Sequence, residues 1–196
     1  MQDHPKLIPG RLYHIYNRGI NSCAIFREEE NYRYFVWLYG KHVAPVVETY
    51  AWALLPTHFH FLVQLREPNP DRVQNPVRVI GDASHQLSIL FNAYAQALNK
   101  RVNRHGSLFE RPFKRKPISS DNHMMNTLIY IHNNPVHHGY CRHPSEYGWS
   151  SYNDYFSENQ HPKLIEFQKQ FFEDRENFVY LHEHALKKLE EDDLLD

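Results

Sequence analysis

The stretch between residues 46 and 65 constrains this chain more than any other. It holds two β-rich segments, 46–55 and 57–65, divided at Pro56, a residue that the interior of a central strand excludes. The second segment contains Thr57-His58-Phe59-His60-Phe61-Leu62-Val63. Strand side chains alternate between faces, so Phe59, Phe61, Val63 and Leu65 point one way and His58 and His60 the other. One face can bury in a core. The other carries two imidazoles roughly 7 Å apart along the strand. Such a pair can share a metal ion; the plain alternative is two half-exposed histidines on a sheet.

The remaining pattern supplies partners for that sheet. Residues 12–17 read as a strand ending in a turn at Arg18-Gly19. Residues 28–42 read as a helix with an acidic first turn and with Phe35, Leu38, Tyr39 and His42 on one face. Pro68, Pro70 and Pro76 mark 66–81 as a loop. Asp82 or Ser84 can cap a helix running to about Asn103, striped by Leu87, Leu90, Phe91, Tyr94 and Leu98 and stopped by His105-Gly106. Residues 107–118 form an extended basic and aromatic segment interrupted by Pro112 and Pro117. Asp121 caps a further helix, with Met124, Leu128 and Ile131 on its apolar face, and Pro135 terminates it. A loop through Trp149-Ser150-Ser151-Tyr152 leads to one amphipathic stretch, 164–189.

The order β-α-β-β-α-β-α predicts an α+β fold: a ferredoxin-like antiparallel sheet with helices packed on it, over residues 1–155, followed by a helical extension over 156–196. The 196 residues are 41% hydrophobic and 14% aromatic, enough apolar material for a packed core rather than a disordered chain. No segment approaches the roughly 20 apolar residues of a membrane helix, and Met1 to Lys6 has no apolar signal region. Two distant cysteines, Cys23 and Cys141, without CxxC spacing, suit reduced thiols and a cytoplasmic location.

Net charge is −1, which argues against coating duplex DNA through bulk charge. The distribution is uneven. Lys100, Arg101, Arg104, Arg111, Lys114, Arg115 and Lys116 face one acid, Glu110, between 99 and 117, whereas Glu190, Glu191, Asp192, Asp193 and Asp196 crowd the C-terminus. Cations interleaved with Phe109, Phe113 and Tyr16 suit the backbone and splayed bases of a single strand. The alternatives are a solvated surface and phenylalanines that face the core.

A second constellation is Tyr130-Ile131-His132-Asn133-Asn134-Pro135. On a helix, positions four apart are neighbours, so Tyr130 and Asn134 present a hydroxyl and an amide oxygen on one face. That oxygen can complete a metal site begun by two histidines, with Asn133 as the fallback. The plain alternatives are a packing tyrosine and an asparagine closing the helix.

These pieces resemble a known pattern. The run 54–63 is similar to the His-hydrophobic-His (HUH) segment of the single-tyrosine transposases, and 130–136 is similar to that family's tyrosine helix. Tyr13-His14-Ile15-Tyr16-Asn17-Arg18-Gly19, Gly106-Ser107-Leu108-Phe109-Glu110-Arg111-Pro112-Phe113 and Trp149-Ser150-Ser151-Tyr152 resemble further family segments in the expected order, over about residues 8–155. The REP-associated tyrosine transposases resemble it most. Three departures stand out: Leu55 where Met is common, a longer 66–81 loop, and Asn134 where many relatives have Gln.

The resemblance implies an enzyme that cuts and rejoins single-stranded DNA near hairpins. Tyr130 would be the nucleophile, forming a 5′-phosphotyrosine. His58, His60 and Asn134 would hold Mg²⁺ or Mn²⁺, and Arg18, Arg111, Lys114, Arg115 and Lys116 are expected to contact DNA. The protein would act as a monomer or a homodimer. Rival expectations are a hairpin DNA- or RNA-binding protein without strand transfer, and a hydrolase that uses water.

Overall fold

The structure, a computed structural model, describes residues 5–67 and 83–189. The loop beyond Glu67, the Asp82 cap and the acidic tail lie outside these residues. The elements run β1 (Leu12–Arg18), α1 (Glu29–His42), β2 (Val47–Leu55), β3 (His58–Leu65), α2 (Ala83–Arg101), β4 (Lys114–Pro117), α3 (Asp121–His137), α4 (Pro162–Phe172) and α5 (Arg175–Leu189). The sheet order is β2-β3-β1-β4, with β1 antiparallel to both β3 and β4. This is the mixed helix and antiparallel-sheet architecture that the element order predicts.

The chain divides into two compact units, Met1–Thr49 with Leu54–Ile118, and Tyr50–Ala53 with Ser119–Asp196. In the first, strand alternation sorts the core. Tyr13, Ile15, Phe59, Phe61 and Val63 are all nearly inaccessible. The α1 and α2 helices supply the covering aromatics. Phe35 lies 5.3 Å from Phe59 and edge-on to Tyr94 at 5.0 Å, and Phe91 lies 5.3 Å from Phe59. Helix α1 starts where Asn31 Oδ1 accepts from the backbone N–H groups of Arg27 and Glu28 at 2.9 and 3.3 Å, with Glu29 and Glu30 in its first turn.

Three sequence expectations change. The 107–118 segment becomes a strand only at Lys114–Pro117, and Phe109 and Phe113 are buried against Phe91 at 5.5 Å each, so they are core residues rather than a platform for bases. Ser120, not Asp121, caps α3, its Oγ accepting from His123 N at 3.2 Å, and the helix runs through Pro135 to His137. A proline forfeits its own N–H and crowds the preceding turn, so the helix closes soon after it, with Tyr140 N donating to Pro135 O at 2.9 Å. The C-terminal stretch is two helices. Glu173 takes a φ of 62°, and Asp174 Oδ1 accepts from Asn177 N at 2.8 Å to open α5.

The second unit is built on aromatic packing around two histidines. His132 of α3 and His182 of α5 are fully buried among Tyr152, Tyr155 and Phe178. His182 Nδ1 pairs with the Phe178 carbonyl at 2.7 Å, so Nδ1 carries the proton and Nε2 accepts. His132 Nδ1 then donates to His182 Nε2 at 2.9 Å, and His132 Nε2 accepts from Ser151 Oγ at 2.9 Å. Every ring nitrogen of the pair has a partner, and the chain of bonds runs from α5 through α3 to the 150–152 loop.

Candidate metal and DNA site

The pairing register sets the site face. Tyr16 lies opposite His60 and Arg18 opposite His58 across β1 and β3. Tyr16 lies opposite Lys114, and His14 opposite Lys116, across β1 and β4. Seven side chains therefore share one face: His14, Tyr16, Arg18, His58, His60, Lys114 and Lys116. The opposite face holds the core just described.

The two predicted histidines are held in defined orientations. His60 is buried, and its Nδ1 lies 2.9 Å from His14 Nε2. The Nδ1 of half-buried His58 lies 3.0 Å from Thr57 Oγ1. Their ring centroids are 5.2 Å apart and nearly perpendicular. Each ring is thus engaged at its Nδ1. Tyr16 stacks on both His14 and His60, at 4.7 and 5.6 Å.

Among the described residues, no group of three or more His, Cys, Asp or Glu side chains could hold a metal ion. Two imidazoles leave further positions on a divalent ion to neutral oxygens or substrate phosphate; on ligand softness they suit Mn²⁺, Zn²⁺ or Co²⁺ better than Mg²⁺.

The cations separate by strand parity. Lys114 and Lys116 stand over the Tyr16 ring at 5.7 and 5.9 Å. The Lys116 ammonium is held below its ordinary pKa, first by partial burial and then by the Lys114 charge beside it. Two like charges on one face favour an anion there. Arg18 shares the face but lies 4.0 Å from Glu110. Arg115 points to the other side, over the Phe113 ring at 4.2 Å, with Nη1 3.4 Å from Ser84 Oγ. Arg111 lines an open groove of about 670 Å³ between α2 and the 106–113 loop.

Helix α3 carries the other predicted residues. Tyr130 is half-buried, between buried Ile129 and Ile131. Asn134 is buried, and so is Asn133, whose Nδ2 donates to the His182 carbonyl at 2.8 Å. That bond ties Asn133 to α5. Sequence reasoning missed His14 as a site residue, although its alternation with Tyr13 and Ile15 marks it for the face opposite the core. It also missed His132 and His182, whose pairing depends on contacts distant in sequence.

No family model matches the chain. A curated protein of Haemophilus influenzae, provisionally named a REP-associated tyrosine transposase, is 30% identical over 105 residues, covering 54% of this chain. The chain spans 58% of that relative's length. A solved structure of a REP-associated tyrosine transposase bound to a REP hairpin superposes with a TM-score of 0.62 and 17% identity, covering 83% of this chain and 88% of that one. By sequence over its matching half, and by fold over most of its length, this chain is similar to the REP-associated tyrosine transposases.

Proposed function

We propose that this chain is a metal-dependent transesterase that cleaves and rejoins single-stranded DNA at hairpin-associated sites. The observation that carries the reading is the β1-β3-β4 face, where His58 and His60 stand with Nδ1 engaged beside two lysines. The similarity to a transposase bound to a REP hairpin supports the substrate class.

In this reading His58 and His60 would hold Mg²⁺ or Mn²⁺ through Nε2, and Asn134 would supply an oxygen ligand. When bound, the metal would polarise the non-bridging phosphate oxygens and stabilise charge on the leaving oxygen. Lys114 and Lys116 attract the phosphate backbone. Free tyrosine, with a pKa of about 10, is a poor nucleophile; here the Tyr130 hydroxyl would lose its proton to solvent as it attacks phosphorus, and the departing 3′ oxygen would take one up. An O–P bond forms to tyrosine as the bond to the 3′ oxygen breaks, leaving a free 3′-OH and a 5′-phosphotyrosine. The bond energy is conserved, so rejoining needs no nucleotide cofactor.

The test is incubation with Mn²⁺ and hairpin-bearing single strands from the flanks of the gene, read on a denaturing gel. A covalent protein–DNA band is expected from the wild type. Tyr130→Phe is expected to lose both band and cleavage while keeping its hairpin affinity. Cutting by Tyr130→Phe at the wild-type rate would show a water nucleophile. Hairpin binding by the wild type with neither band nor cleavage would show a binding protein.

A further inference from the structure

We infer that His14 is a positioning residue for metal binding, acting through His60. The inference rests on the metal reading of His58 and His60 given above. His14 lies on β1, 46 residues from His60, yet its Nε2 is 2.9 Å from His60 Nδ1 and both rings are buried.

In the reading above, where His60 ligates through Nε2, His14 is not a third ligand on the same ion. Its nitrogen sits against the Nδ1 edge of His60, whereas an ion held through Nε2 lies on the far edge of that ring. Two nitrogens at hydrogen-bond distance share one proton. For His60 to be neutral and to present its Nε2 lone pair, that proton must sit on His60 Nδ1. His60 then donates and His14 accepts through Nε2, which places the His14 proton on its own Nδ1.

The bond does two things for a metal site. It selects the tautomer of His60 that can ligate. It also increases the basicity of Nε2, because ligation withdraws electron density from the ring and strengthens the Nδ1–H donor. A carboxylate or a backbone carbonyl is the common partner in this position, and here a second imidazole takes it. Stacking fixes the pair further: Tyr16 lies over both rings, and the His14 and His60 centroids are 5.1 Å apart at 28°. His60 thus enters the site with its rotation already restricted, which reduces the ordering needed when the ion binds.

The experiment titrates full-length apo protein with Mn²⁺ alone, reading free Mn²⁺ by electron paramagnetic resonance, with thermal melting as the folding control. The set is wild type, His14→Ala, His14→Gln, His58→Ala and His60→Ala. Loss of a partner that orients a ligating histidine weakens metal binding by about 10- to 100-fold. That loss is expected for His14→Ala. His14→Gln should recover most of it, because the glutamine Oε1 reaches the place of Nε2 and accepts the same proton.

Wild-type Mn²⁺ affinity in His14→Ala, with binding lost in His58→Ala and His60→Ala, would overturn this inference and leave the proposed function standing. Equal weakening in His14→Ala and His14→Gln would also overturn it, by assigning the effect to packing. Wild-type affinity in His60→Ala would overturn the metal reading, and this inference with it. If His14→Ala does not fold, long-range proton–nitrogen spectra of the apo wild type decide. A His60 proton on Nδ1 supports the inference, and one on Nε2 overturns it.

Discussion

Acidification should destabilise the second unit through its buried histidine pair, and the size of the effect follows from the structure. Burial, with a smaller contribution from the His143 charge and against the bond to the Phe178 carbonyl, holds His182 down to about 4. Burial and then the neighbouring His182 put His132 well below its ordinary value too. In the unfolded chain both rings return to about 6.5. Above pH 6.5 both states are neutral and the pair contributes its full stability. As pH falls below 6.5, the unfolded state takes up protons that the folded state refuses, so stability is lost until the folded His182 titrates near pH 4.

At about 1.4 kcal/mol per tenfold change in proton activity, His182 alone accounts for about 3 kcal/mol over that window and about 2 kcal/mol between pH 7 and pH 5. His132 adds a proton of the same sign. The assay is urea unfolding at several pH values, followed by tryptophan fluorescence; Trp52 and Trp149 both belong to this unit. The comparison is His182→Gln, which cannot titrate but can still accept from His132 Nδ1. Subtracting its pH profile from that of the wild type cancels the histidines outside the pair, and most of His132, whose depression comes first from burial. The wild type should lose about 2 kcal/mol more than the variant between pH 7 and 5. Parallel profiles would refute the reasoning, because they would mean that His182 is protonated equally in both states.

Other outcomes follow from the sheet. If Lys114 and Lys116 meet DNA phosphates, Lys114→Ala and Lys116→Ala should each reduce the salt dependence of single-strand affinity by about 0.7 in log–log slope. Arg115→Ala, from the opposite face, should leave the slope unchanged and lower thermal stability instead, as its contact with Phe113 is lost. Gly19→Ala should cost stability by about 1–3 kcal/mol or more in chemical denaturation, because a Cβ there would meet the Cys23 carbonyl oxygen at 2.1 Å. A melting temperature equal to wild type would show that this turn yields easily.

The face carrying His58 and His60 was legible from residues 58–65 alone, because strand alternation is local geometry that no partner can alter. The register between strands was not. It decides that His14 rather than Tyr13 approaches His60, that Lys114 and Lys116 join the site face, and that Arg115 of the same basic run leaves it. Composition counted these cations together, and pleating separates them. Phe109 and Phe113 looked equally fit for bases or core until α2 placed Phe91 5.5 Å from each.

Local chemistry also marked the helices but misjudged their ends. Pro135 reads as a stop in the sequence, yet a helix already held at Ser120 tolerates one lost N–H, and Glu173 breaks a pattern whose apolar period gives no warning. The sequence by itself determined the element order and the two-faced strand, since both follow from residue spacing along one backbone. Only the tertiary structure decided the hydrogen-bonded histidine pairs, 14 with 60 and 132 with 182. Each joins residues about fifty positions apart, and the proton each ring carries is set by the partner it meets.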